Sequence, residues 1–114
     1  MTKKQYQPAV AALHDAHSIC IVTHLRPDAD AIGSAAALLL ALRQRGKNVC
    51  AVVGQEREIS RNLYTIPAAD DVTTSRELPE GYDLYVTVDC GSLDRTGFFA
   101  DRIEQLAQQG RVLC

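Results

Sequence analysis

The sequence has no Cys-x-x-Cys pair, no long apolar run and no excess of basic charge, and each absence removes a class of function. Its four cysteines, Cys20, Cys50, Cys90 and Cys114, stand far apart, which argues against a zinc ribbon. Three fall inside or at the end of expected strands, where a free thiol behaves as a small buried apolar group. Nothing suggests the oxidising compartment that disulfides need. The longest apolar stretch, about Ala35–Leu42, is far short of the roughly 20 residues that span a bilayer. The first residues, Met-Thr-Lys-Lys-Gln-Tyr-Gln-Pro, have no apolar signal region behind their two lysines, so a cytoplasmic location is the default expectation. A formal net charge of −2 supplies no overall positive field to recruit long nucleic acid. A small anionic substrate held by a metal does not need one. No internal repeat, low-complexity tract or linker interrupts the chain.

What remains is a globular composition over 114 residues, 46% hydrophobic and 23% charged, enough for one domain at most. The pattern alternates helices and strands. Gln5–Asp15 has helical spacing, with Val10, Leu13 and the intervening alanines on one side. Ser18–Thr23 reads as a strand. A helix follows to about Arg45, with Gly46 beyond its end in the position that favours glycine. This helix is apolar almost all round (Ile32, Leu38, Leu39, Leu40, Leu42), so it is expected to pack against more than one neighbour. Asn48–Val53 is a strand, Ile59–Tyr64 a helical turn stopped near Pro67, and Val72–Thr74 a short strand. Leu84–Asp89 is a buried strand, Ala100–Gln109 a helix, and Arg111–Cys114 the start of another strand. The order predicts an α/β fold of three layers, α/β/α, around a mostly parallel sheet with right-handed crossovers.

The chemistry is concentrated in residues 23–38, Thr-His-Leu-Arg-Pro-Asp-Ala-Asp-Ala-Ile-Gly-Ser-Ala-Ala-Ala-Leu. The strand Ser18–Thr23 runs into a polar turn, and the small-residue helix follows at once. His24, Asp28 and Asp30 therefore gather at the carboxyl end of a strand and the amino end of a helix, the edge where open α/β sheets place ligands. One imidazole with alternating carboxylates suits Mn²⁺, Mg²⁺, Fe²⁺ or Zn²⁺ and fits Cu(I) poorly. Taken singly, each residue has an ordinary explanation. Asp28 can form a turn after Pro27, Asp30 can cap the helix, and a polar residue at a strand end is commonplace. Asp89 taken alone is a common strand terminator.

The segment resembles the first motif of the DHH phosphoesterase superfamily, roughly His-x-x-Pro-Asp-x-Asp-Ala-x-Gly-Ser, through His24, Pro27, Asp28, Asp30, Ala31, Gly33 and Ser34. Downstream, Asp83-Leu-Tyr-Val-Thr-Val-Asp-Cys-Gly-Ser-Leu-Asp-Arg95 resembles the second motif, a strand ending in Asp with Gly-Ser and an Arg beyond it. The Gly-Ser of the first motif is most similar to the branch that degrades very short oligoribonucleotides and dephosphorylates 3′-phosphoadenosine 5′-phosphate. The Asp-His-His that names the family is not present in the sequence, nor are the later metal-binding Asp and the Gly-rich signature of the C-terminal domain. The resemblance thus covers residues 1–114 as the N-terminal part of the catalytic domain of a larger phosphoesterase.

It implies a role for each matching residue. His24 and Asp28 would bind a first metal, Asp30 a second, and Asp89 would bridge the two, with Asp28, Asp30 and Asp89 forming the catalytic set. The three crowded carboxylates repel one another, and bound cations would relieve that repulsion. The implied cofactor is Mn²⁺, two ions in the complete site, with Mg²⁺ or Fe²⁺ as alternatives. The 114 residues alone should hold one metal weakly and be inactive. Gly33 and Ser34, expected in the first helical turn, could offer N–H groups to a substrate phosphate, or Gly33 could simply permit close packing of helix on strand. Arg95 could contact substrate phosphate or be a solvated surface residue. Members often have Gly at the position of Ala29, so this turn either uses negative φ there or differs in shape.

The implied partner is a short oligonucleotide or nucleotide substrate, with no membrane and with a homodimer of the full-length protein in view. Alternatives are an exopolyphosphatase, pyrophosphatase or cyclic-dinucleotide phosphodiesterase of the same superfamily, or a non-catalytic nucleotide-binding module. His14 and His17, Asp70–Asp71 and the run Gln55–Glu58 are most simply solvated groups, and Arg26 a surface or ion-pairing one.

Overall fold

In Ser18-Ile-Cys-Ile-Val-Thr23, Ile19 and Ile21 pack on one face of a sheet and Cys20 and Val22 on the other, and all four are fully buried. An uninterrupted apolar run of this kind belongs to a central parallel strand covered on both sides. A computed structural model, which describes residues 3–114, places it there. The elements are α1 (Lys3–Asp15), β1 (Ser18–Thr23), α2 (Ala29–Gln44), β2 (Asn48–Val53), β3 (Val72–Thr74), β4 (Leu84–Val88), α3 (Ala100–Gln108) and β5 (Val112–Leu113). Tight 3-10 turns cover Arg61–Thr65, Ala69–Asp71 and Leu93–Phe99.

The sheet order is β3-β2-β1-β4-β5, and every described pairing is parallel. On one face, Ile19, Ile21, Val49, Ala51, Val53, Leu84 and Val86 meet Ala16 after α1 and Ile32, Ala35, Leu39 and Leu42 of α2. On the other, Cys20, Val22, Val52 and Tyr85 meet Phe99, Ile103 and Leu106 of α3 and its approach. This is the expected three-layer α/β/α arrangement.

Element ends moved by a residue or two, and the reasons are local. Asp28, not Asp30, is the N-cap of α2. Its backbone is extended and its side chain accepts the Ala31 N–H at 2.9 Å. The helix ends at Gln44, with Gly46 at φ 79° beyond the cap as the glycine pattern predicts. The Ile59–Tyr64 turn appears as the 3-10 segment Arg61–Thr65, ended by extended Ile66 before Pro67. β4 stops at Val88 because Asp89 swings to φ 54°. α2 buries one side, on β1 and β2, while Leu40 is 39% exposed, so it is less completely enclosed than its composition predicts. The four cysteines are free, but only Cys20 is buried. Cys50 and Cys90 are half-buried and Cys114 is exposed. No described helix is long and apolar enough to cross a membrane.

The Asp83 carboxylate fixes the start of β4 to the start of β1. It accepts the N–H groups of His17 and Ser18 at 2.9 and 3.2 Å, and these bonds hold its carboxyl below the usual carboxylate range. A group with a depressed folded pKa stabilises the fold above its unfolded pKa of about 3.9 and loses that contribution as pH falls through the folded value. Asp83→Ala is therefore expected to lower the melting temperature at pH 7 and to narrow the gap to wild type below pH 3, as read by thermal melts across pH. Leu39 has no exposure. Leu39→Ala should cost about 2–5 kcal/mol in urea unfolding, the range for deleting a fully packed leucine.

Candidate metal centre

Chain connections leave β1 toward β2 on one side, while β4 joins β1 on the other. The loops after β1 and β4 therefore diverge at the carboxyl edge of the sheet, which is the switch point where α/β folds form a crevice. His24 follows β1 directly, Asp28 caps α2, and Asp89 follows β4 directly. Thr23 ties the two strand ends together, its Oγ1 donating to the Val88 carbonyl at 3.0 Å.

The His24 ring is buried. Its Nδ1 lies 2.7 Å from the carbonyl of Leu25, a contact that assigns the proton to Nδ1 and leaves a lone pair on Nε2. Nε2 faces Asp89 Oδ2 at 3.5 Å and Asp28 Oδ1 at 3.8 Å. One ligand atom from each of His24, Asp28 and Asp89 lies within 4.8 Å of the other two. Three acceptors turned toward one point, with no proton between them in this tautomer, form a donor set for a borderline-to-hard divalent cation. The Nδ1–H bond to a backbone carbonyl is the usual way a ligating imidazole is oriented. Arg95 Nη2 stands 3.4 Å from Nδ1. With the Nδ1 proton committed to Leu25, this contact is not a hydrogen bond, but it brings a guanidinium to the edge of the centre.

The loops that carry these groups interlock. Leu25 N–H donates to the Arg95 carbonyl at 2.8 Å, and Phe98 N–H donates to the Gly54 carbonyl at 3.1 Å. Gly97 has φ 65°, and a Cβ there would lie 2.3 Å from both the Gly54 carbonyl oxygen and Leu25 Cδ2. A Cβ on Gly54 would lie 2.4 Å from the Thr96 carbonyl oxygen. Asp89 at φ 54° and Arg26 at φ 48° are left-handed non-glycine residues, conformations that cost about 1–3 kcal/mol and cluster at functional sites. Gly54 and Gly97 were missed by sequence reasoning. The available signal was a glycine placed directly after an apolar strand run, at Val53-Gly54.

The family model for the N-terminal domain of the DHH family matches residues 18–114. The chain belongs to the DHH family. Its fold is also similar to that of a solved exopolyphosphatase-related protein from Bacteroides fragilis. The TM-score is 0.71 at 24% identity, over 89% of this chain and 32% of that one. The chain thus spans about a third of the length of that protein.

His24, Asp28 and Asp89, the residues expected around a first metal, come together, and Asp30, expected at a second, stands apart from them. Asp30 is exposed in the first turn of α2 and lies outside the His24–Asp28–Asp89 group. Because Asp28 rather than Asp30 caps the helix, α2 begins at Ala29. Ile32 N–H already bonds the Asp28 carbonyl at 3.1 Å, so Gly33 and Ser34 lie beyond the unpaired N–H groups of the first turn. Their expected role in offering backbone N–H groups to phosphate is not available. Nor does close packing require Gly33, since a Cβ there meets nothing within 4 Å. Asp30, Gly33 and Ser34 instead share the helix side given by i, i+3 and i+4 spacing. The Ala29 question resolves to a helical residue, and Arg26 takes the positive φ. Cys90, beside Asp89, is pushed up to about 11, first by burial and then by the Asp89 charge, so it is a thiol near neutral pH. His24→Ala should weaken Mn²⁺ binding by about tenfold or more in calorimetric titrations, whereas Asp30→Asn should change that binding by no more than a few-fold.

Proposed function

We propose that the chain is the N-terminal part of the catalytic domain of a metal-dependent phosphoesterase, a hydrolase acting in the cytoplasm. Its substrates are short oligoribonucleotides or nucleoside 3′,5′-bisphosphates. The observation that carries the reading is the convergence of His24 Nε2, Asp28 and Asp89 at the switch point, in a chain of the DHH family. His24, Asp28 and Asp89 hold the first divalent cation, Mn²⁺ by preference over Mg²⁺ or Fe²⁺. Asp30 would hold a second cation, with Asp89 shared between the two, and further ligands from the rest of the protein would complete it. Bound there, such cations supply Lewis acidity at phosphoryl oxygen and lower the pKa of water.

The chain's own residues do the rest. Leu25 orients the imidazole, Thr23 aligns the ends of β1 and β4, and the half-exposed Asp28 and Asp89 leave the centre open to a phosphate group. Arg95 brings positive charge against the phosphate that the cations do not cover. The 114 residues alone are inactive, because the second cation has too few ligands. The solved neighbour is described as exopolyphosphatase-related, which supports a phosphate-ester or phosphoanhydride substrate at this class of site and keeps polyphosphate as the competing choice.

The test is hydrolysis by the whole protein with Mn²⁺, offered short oligoribonucleotides, 3′-phosphoadenosine 5′-phosphate and polyphosphate. Wild type should release phosphate or mononucleotides, and Asp89→Ala should reduce turnover by three orders of magnitude or more, on the order of other losses of a charge-stabilising group. Retained activity in Asp89→Ala would remove its bridging role, and a wild type inert on all three substrates would remove the phosphoesterase reading.

A further inference from the structure

Beside the metal centre lies a hollow of about 470 Å³. Its apolar wall is Leu25, Gly54, Gly97 and Phe98, and Arg26, Gln55, Glu56 and Arg57 stand around it. The volume falls in the range of small-molecule sites. The hollow shares Leu25 with the metal centre, where the Leu25 carbonyl holds the His24 ring. The Leu25–Arg95 and Phe98–Gly54 backbone bonds and the two crowded glycines set it next to that centre without filling it.

Two features point to its occupant. Phe98 is a large aromatic side chain 53% exposed on the wall of this hollow. Nothing in the core holds it there, since Phe99 and not Phe98 packs into the interior. The Arg76 guanidinium, itself paired with Glu56, stands 5.6 Å from the Phe98 ring centroid and does not line the hollow. The second feature is charge. Among the described residues, Arg43, Arg76 and Arg102 pair with carboxylates, but Arg26 and Arg57 do not. Gln55 is committed to the loops, accepting the Arg26 N–H at 2.8 Å and donating to the Arg57 carbonyl at 2.7 Å. That tie fixes the backbone of both arginines and leaves their guanidinium groups without a partner at the mouth. An apolar pocket with an exposed ring on its wall and two unpaired cations at its lip is complementary to a nucleotide, a flat base carrying an anionic phosphate. An inorganic polyphosphate would use the cations and leave the apolar wall wet.

We propose that this hollow is a base-binding subsite: the nucleobase next to the reacting phosphate stacks on Phe98 between Leu25, Gly54 and Gly97, while Arg26 and Arg57 contact the adjoining phosphate. The proposal rests on the phosphoesterase reading for the position of the reacting phosphate, and it selects nucleotide over polyphosphate as the substrate.

The experiment is a fluorescence titration of the whole protein, without divalent metal, using a 5′-phosphorylated dinucleotide that carries 2-aminopurine. The emission of this base falls when it stacks. Manganese-dependent hydrolysis of the same dinucleotide and of tripolyphosphate is measured in parallel. Wild type should quench the emission. Phe98→Ala should bind about tenfold more weakly without quenching, and Phe98→Trp should restore both. Arg57→Ala should weaken binding and reduce its salt dependence by about one phosphate contact. Neither Phe98 variant should alter tripolyphosphate hydrolysis, since that substrate carries no base. Phe98→Ala removes an exposed side chain and keeps the Phe98 N–H bond to Gly54, so the variant should fold, and circular dichroism checks this. Dinucleotide that is hydrolysed without quenching and with equal affinity for Phe98→Ala overturns the subsite and leaves the phosphoesterase reading intact. Turnover of tripolyphosphate with no dinucleotide binding also overturns it. Quenching that depends on Phe98 in a protein with no manganese-dependent hydrolysis supports the subsite and removes the phosphoesterase reading instead.

Discussion

β1 is hydrogen-bonded along both edges, to β2 and β4, and packed on both faces, so its carboxyl end is the best-fixed point of the molecule. The residue that leaves this end is His24. Its ring is buried because the strand delivers it into the crevice before the chain turns outward, and its tautomer follows from the very next carbonyl, that of Leu25. A lone pair on Nε2 facing two carboxylates is thus a consequence of where β1 sits in the sheet. Had β1 been an edge strand, the same His-x-x-x-Asp sequence would have placed these groups on an open surface.

The second constraint is the interlock of the loops after β1, β2 and β4. Gly54 and Gly97 let two carbonyls and the Leu25 side chain approach more closely than any Cβ would allow. Asp89 and Arg26 accept left-handed backbone at the same edge. The strain is offset by the packing of the strands beneath, and in return the loops hold the donor groups and the neighbouring hollow in fixed relation. Cys90, half-buried beside Asp89, has its thiol pKa raised by burial and by the Asp89 charge.

Charge is organised by position and not by excess. The chain carries a net −2, yet Arg26, Arg57 and Arg95 stand on the three loops at the carboxyl edge, one after each of β1, β2 and β4. Arg43 and Arg102 pair with carboxylates at the periphery. The field near the crevice is therefore positive on its arginine side and negative at the carboxylates, a division that suits an anion bridged to the protein by cations.

The sequence by itself determined the α/β order and the parallel sheet, because strands buried on both faces read as unbroken apolar runs and the intervening segments carry helical spacing. It also placed His24, Asp28 and Asp89 at one edge, since each directly follows a strand or opens a helix. What it left open was decided in the folded structure, partly by competition between neighbouring residues and partly by contacts between residues distant along the chain. Which aspartate caps α2 was decided by one hydrogen bond to Ala31, and that choice moved Gly33 and Ser34 beyond the unpaired N–H groups. Asp30, two residues from Asp28, is exposed in the first turn of α2 and lies outside the His24–Asp28–Asp89 group. The hollow beside Phe98 exists only where residues 25, 54 and 97 meet across three loops, and no local pattern in the sequence encodes that meeting.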